Sequence, residues 1–244
     1  MSGQIIRRLL LRNAAAVAVG SAAISNDAEL TELFEDPVSS ALSRSVDIDG
    51  DGIDHVQFAA ADDPAGERGT VLQASSQGAA TRDYAISLRN LAFADLTLAD
   101  LVDDGLAYDY YVGADNTSMA PNEVCLVLTG PENGLDLVFR TKDDEREGDW
   151  YTRDVATELI GDSELPGSEQ PWKRIHLTRE NATAMDRSNV ELLEENLLER
   201  FGADTSVRAA GLGHGMPTME PETIDTYYDA FAVAGTEYEL PTTS

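Results

Sequence analysis

The sequence predicts an all-β protein, an antiparallel two-sheet β-sandwich with one or two inserted helices. Three observations carry this. Eight short segments rich in β-branched or aromatic residues recur along the chain, at 84–88, 106–112, 123–129, 135–141, 150–155, 172–178, 206–212 and 226–233. Gly, Pro, Asp or Asn punctuates nearly every gap between them. Finally, no helices alternate with these segments, as a βαβ arrangement would require. A length of 244 residues with 42% hydrophobic content suffices to bury a core in one large domain or two small ones.

The first 23 residues read as an export signal. Arg7, Arg8 and Arg12 precede an apolar run of small residues from Ala14 to Ala23, too short to anchor in a bilayer, with Ser21-Ala22-Ala23 as a cleavage site. The paired arginines resemble a twin-arginine signal. The alternative is an amphipathic helix belonging to the folded domain. Charge favours the signal, because three of the 17 basic residues fall in the first twelve positions of a chain with 45 acidic ones. The net charge is -28, and removal of residues 1–23 would make it -31. Such a chain repels nucleic acid and anionic lipid. Lys142 and Lys173 are its only lysines, and a carboxylate-rich, lysine-poor surface suits concentrated salt, where screening removes self-repulsion. The reading is a halophile's protein.

Residues 24–45 read as a linker with a short helical segment, from Leu30, Leu33, Phe34, Val38 and Leu42, interrupted at Pro37. The sandwich domain is expected over 46–241. At its start, Asp47, Asp49 and Asp51 alternate with Ile48 and Gly50, and Gly52 allows a sharp turn. Three carboxylates at that spacing, with a backbone carbonyl, fit Ca²⁺, which takes six to eight oxygens. The pattern departs from an EF-hand, since Phe58 stands where the bidentate Glu belongs. The alternative is an acidic surface turn. Cys125 is the only cysteine, so neither an intramolecular disulfide nor a Cys-based zinc site can form. Asn116-Thr117-Ser118 and Asn181-Ala182-Thr183 fit the N-glycosylation pattern.

Within the strands, period-two alternation sorts the side chains. In 172–177, Ile175 and Leu177 take one face and Trp172, Arg174 and His176 the other. Leu135, Leu137 and Phe139 oppose Arg140. Trp150, Thr152 and Asp154 share a face, as do Asp109 and Tyr111. If these outer faces belonged to one sheet, they would make a surface of rings, guanidinium groups and carboxylates, on which sugars stack their C–H faces and bond their hydroxyls. The alternative is that the rings fill the core or its rim. Leu192, Leu193, Leu197 and Leu198 predict a helix over 190–201, stopped by Gly202. Gly211-Leu212-Gly213-His214-Gly215 reads as a turn. Neither His55, His176 nor His214 sits in a metal-ligand or nucleophile-base spacing.

The segment Thr226-Tyr227-Tyr228-Asp229-Ala230-Phe231-Ala232-Val233-Ala234-Gly235 resembles the closing strand of jelly-roll β-sandwiches of the carbohydrate-binding-module and concanavalin A-like type. With the signal and the acidic surface, the chain is similar to secreted haloarchaeal proteins carrying one such domain. The resemblance implies a non-catalytic, lectin-like protein, extracellular or at the cell surface, that binds a polysaccharide or glycan, either through the face that alternation gives to Trp150, Trp172, Arg174, His176, Arg140 and Tyr111 or through loops at one end of the sandwich. It also implies one structural calcium, with Asp229 of the closing strand joining Asp47, Asp49 and Asp51. Two alternatives stay open. One is a polysaccharide hydrolase or lyase on the same fold, although the Glu-x-Asp-x-x-Glu arrangement of its retaining glucanases is absent. The other is a structural cell-surface component.

Overall fold

A computed structural model of the chain describes residues 41–46, 53, 55–76, 84–117, 123–129, 135–140, 148–155, 173–178, 191–193, 198, 201–215 and 223–243. The strands are β1 (Ala41–Val46), β2 (Val56–Asp62), β3 (Thr70–Ser76), β4 (Tyr84–Asn90), β5 (Leu106–Val112), β6 (Glu123–Thr129), β7 (Leu135–Arg140), β8 (Trp150–Asp154), β9 (Lys173–Thr178), β10 (Glu191–Leu193), β11 (Ser206–Gly215), β12 (Asp225–Val233) and β13 (Thr236–Glu237). A helix, α1 (Leu98–Asp104), lies between β4 and β5. Seven strands form one antiparallel sheet in the order β1-β4-β11-β6-β7-β9-β10. The second sheet runs β2-β3-β12-β5-β8, with β13 paired to β12.

The two sheets enclose one core. Ala85, Val124, Leu126, Val207, Ala210 and Leu212 from the first sheet join Val56, Phe58, Leu106, Tyr108, Tyr228 and Phe231 from the second in a single buried cluster. Strand β5 shows how sequence builds it: Leu106, Tyr108, Tyr110 and Val112 are buried, and the residues between them are half-exposed. The rings interlock, with Tyr228 6.2 Å from both Phe58 and Tyr108. Burying a side chain such as Phe58 stabilises the fold by about 1.5–3 kcal/mol relative to leaving it exposed.

Helix α1 is seven residues long and depends on its ends. Thr97 caps it, the Asp100 carboxylate accepting from the Thr97 backbone N–H at 2.7 Å in a capping box, and Gly105 ends it at φ 93°. Leu98 and Leu101 are fully buried, and the Leu98 N–H donates to the Thr205 carbonyl. The Thr97-x-x-Asp100 pattern and Gly105 stand in the sequence, yet a helix of two turns lacks the periodicity that reveals longer ones. The last residues close the gap between the sheets. Both N–H and Oγ1 of Thr243 donate to the Phe58 carbonyl in β2, at 2.7 and 2.8 Å, while Ser87 of β4 donates to the Pro241 carbonyl.

Several expectations are corrected. Strand β1 occupies Ala41–Val46, of which 41–45 read as linker, because pairing with β4 along its full length overrides a weak helical pattern. The expected helix over 190–201 begins instead as strand β10, in register with β9; Leu198 and Phe201 are helical, and the Gly202 N–H bonds the Leu198 carbonyl as a stop should. Gly211 to Gly215 form no turn but continue β11. A Cβ on Gly211 would collide with the Ser87 carbonyl, so the glycine serves close strand approach. Strands β2 and β3 were not anticipated; their alanines and serines lack the expected β-branched signature.

Strand β12 bulges between Asp229 and Ala232, with Ala230 at φ 49°. It then turns through Ala234 (φ 48°) and Gly235 (φ 70°), a two-residue hairpin whose left-handed conformations Asn-Gly satisfies better than Ala-Gly. Ala234→Asn is therefore expected to raise stability by roughly 0.5–1 kcal/mol, and Ala234→Val to lower it, because a β-branched residue resists that conformation. Thermal melts of the two variants check the order.

Candidate functional site

The outer face of the second sheet gathers the polar and aromatic chemistry among the described residues. Register pairs Gln73 with Tyr227, Tyr227 with Tyr111, and Tyr111 with Trp150, making one row across β3, β12, β5 and β8. The adjacent row holds Asp229, Asp109 and Thr152. Tyr111 lies 5.6 Å from Trp150 and 5.9 Å from Tyr227, with the rings inclined by 55° and 85°. The rings therefore form a stepped surface, and none of the three is fully exposed.

A loop supplies the missing cation. Between β2 and β3, the Asp63 carboxylate accepts from the backbone N–H groups of Ala65, Glu67 and Arg68 at 2.6 to 2.9 Å, while Gly66 takes a left-handed conformation. This fold of the loop carries Arg68 over the sheet. Its Nη1 reaches Asp109 at 2.8 Å and Asp229 at 3.0 Å, and its guanidinium carbon lies 3.9 Å from the centre of a Trp150 ring. Asp63 completes the circuit, accepting from the Trp150 indole Nε1 at 3.0 Å. Thus Trp150 is held across its face by Arg68 and at its nitrogen by Asp63.

The other end of the row is tied as firmly. Gln73 Nε2 donates to Asp225 Oδ1 at 2.9 Å and to the Tyr227 hydroxyl at 3.0 Å. Asn116, in one glycosylation pattern, accepts from the Asp225 backbone N–H. Gly113 donates to the Asp225 carbonyl, and a Cβ there would overlap the Asp225 side chain.

Burial and charge placement shift three groups of this face. Burial pushes the Asp63 carboxyl up, but the backbone N–H groups of Ala65, Arg68 and Glu67 and the Trp150 indole outweigh it and hold the group below its usual 3.8. Burial first, and the neighbouring Asp225 carboxylate second, push the Tyr227 phenol up to about 12. For Arg68, burial works against the charge, and the two carboxylates more than restore it.

The sequence-derived site is divided. Trp150 and Tyr111 meet as expected, and Asp109 shares their face. Arg140, Arg174 and His176 lie in β7 and β9 of the other sheet, where Arg174 stands in register with Phe139 and His176 with Leu137, not with Arg140. Trp172, Asp47, Asp49 and Asp51 lie outside the described residues, as do residues 1–23. Asp229 pairs with Arg68, whose positive charge would oppose a divalent ion there. No group of three or more His, Cys, Asp or Glu is arranged to hold a metal among the described residues. Arg68, Asp63 and Tyr227 were missed. Arg68 and Asp229 are 161 positions apart, a separation no local pattern bridges. No family model, curated protein or solved structure matches the chain.

Two measurements follow. A group with a lowered folded pKa stabilises the protein above its unfolded value and loses that contribution as pH falls through the folded value. Asp63→Asn should therefore weaken the protein at neutral pH and flatten its acid denaturation below pH 3.8, read by tryptophan fluorescence. In an ultraviolet pH titration, the difference between the parent and Tyr227→Phe should isolate one phenol ionising near pH 12.

Proposed function

We propose that this protein is an exported, non-catalytic glycan-binding β-sandwich of a halophile, and that it binds through the outer face of its second sheet. One observation carries the reading: Trp150, Tyr111 and Tyr227 stand in a single cross-strand row beside an arginine that the fold holds in place. Rings offer apolar faces and edges to sugar C–H groups, while Arg68, Asp109 and Asp229 offer charge-assisted hydrogen bonds to hydroxyls. Anchoring matters because a pre-ordered side chain loses little freedom when ligand arrives.

A binding face is favoured over hydrolysis. Asp109 and Asp229 face each other in register, but both are committed to the same Arg68 nitrogen. Glycoside hydrolysis needs a carboxyl able to hand a proton to the leaving oxygen. The twin-arginine signal at residues 1–23 and the acidic composition support export into concentrated salt. Among the described residues, no helix is long and apolar enough to cross a membrane. The reading keeps one structural calcium, held by Asp47, Asp49 and Asp51 without Asp229.

A glycan array probed in molar salt should show binding, and Trp150→Ala should weaken it at least about tenfold, or 1.4 kcal/mol. Absence of binding to every polysaccharide would sink the proposal. For calcium, an ion at a hundred times its Kd adds about 2.7 kcal/mol, so chelator should lower the melting temperature by several degrees. An unchanged melt removes the ion from the reading.

A further inference from the structure

We infer that this face selects an uncharged glycan and rejects uronate-bearing or sulfated chains. The inference rests on the glycan-binding reading above and concerns the chemical class of its ligand. It starts from the charges that the fold places around the aromatic row. On the outward positions of β2, β3, β12, β5 and β8, the charged residues among those described are Asp109, Asp154, Asp225 and Asp229, and every one is acidic. Asp63 adds a fifth carboxylate at the indole nitrogen. Among the described residues, Arg68 is the single cation brought onto this surface, and its Nη1 is already shared between Asp109 and Asp229.

An arginine on a sugar-binding face would ordinarily suggest an anionic ligand, which its fork can grip with two parallel hydrogen bonds. Here the neighbours of the guanidinium oppose that option. Nη1 serves the two aspartates and the guanidinium carbon sits over Trp150, so a ligand carboxylate or sulfate drawn to Arg68 would come close to the two carboxylates that already hold it. Two like charges that close repel strongly where solvent is partly excluded, and these carboxylates are only partly exposed, at 15% and 35% of the side chain. A hydroxyl meets no such penalty. It donates to Asp109 or Asp229 and accepts from the guanidinium, so one neutral group satisfies both signs. The Gln73 amide and the Tyr227 phenol, kept neutral, extend the same donor-and-acceptor chemistry along the row.

The test compares each neutral polysaccharide that binds on the array with its C6-oxidised form, which carries carboxylates at the same chain length, using the full-length protein. The neutral form should bind at least about tenfold tighter. That ratio should widen as salt is lowered within the range where circular dichroism shows the fold intact, because screening relaxes. Asp109→Asn with Asp229→Asn should narrow it, and the salt series on the parent reads the same term should that variant fail to fold. Equal or tighter binding of the oxidised form overturns the inference and leaves the glycan-binding reading standing. If neither form binds, both fall.

Discussion

The register between β5 and β12 is the constraint on which the rest depends. These neighbours form the middle of the second sheet, and each supplies both faces of it: Tyr108, Tyr110 and Tyr228 point into the sandwich, while Asp109, Tyr111, Tyr227 and Asp229 line the outside. A slip of one residue would exchange the two sets, burying carboxylates and exposing the core rings. Core packing thus fixes the geometry of the outer face. The site needs no separate mechanism to bring Asp109 opposite Asp229, since the tyrosines that fill the interior already set that alignment.

The loop between β2 and β3 adds what strands alone cannot. Sheets place side chains in rows, but a row of tyrosine, aspartate and tryptophan would leave adjacent carboxylates unpaired. Asp63 shapes its loop through three backbone hydrogen bonds and so delivers Arg68 to the gap. An exposed ion pair contributes little by itself. Arg68 gains from being shared between two carboxylates and a ring, since its long side chain is ordered once for three contacts.

Much of this was legible before any coordinates. All eight segments read as strands are strands, because alternation and β-branched or aromatic content report directly on a half-buried pleated surface. The pairing of Tyr111 with Trp150 followed the same logic at the level of faces. What alternation does not encode is which strands share a sheet: Trp150 and Arg174 each read as outward, yet the chain sends β8 and β9 to different layers. Loop-borne residues were equally silent. Asp63 and Arg68 occur in an acidic stretch with no period, and their partners lie far away in sequence. Gly211 misled for a related reason, because a glycine needed for close strand approach looks in sequence like one needed for a turn.

The C-terminal strap has a consequence for the order of events during synthesis. Thr243 bonds to Phe58 and Pro241 to Ser87, across 185 and 154 positions. A ribosome that has made the first two hundred residues holds a chain whose two layers cannot yet be joined along this edge, and β12, the centre of one layer, has not emerged. Joining the layers along this edge must therefore wait for β12 and the strap, through contacts of very large sequence separation, and strand edges stay open meanwhile.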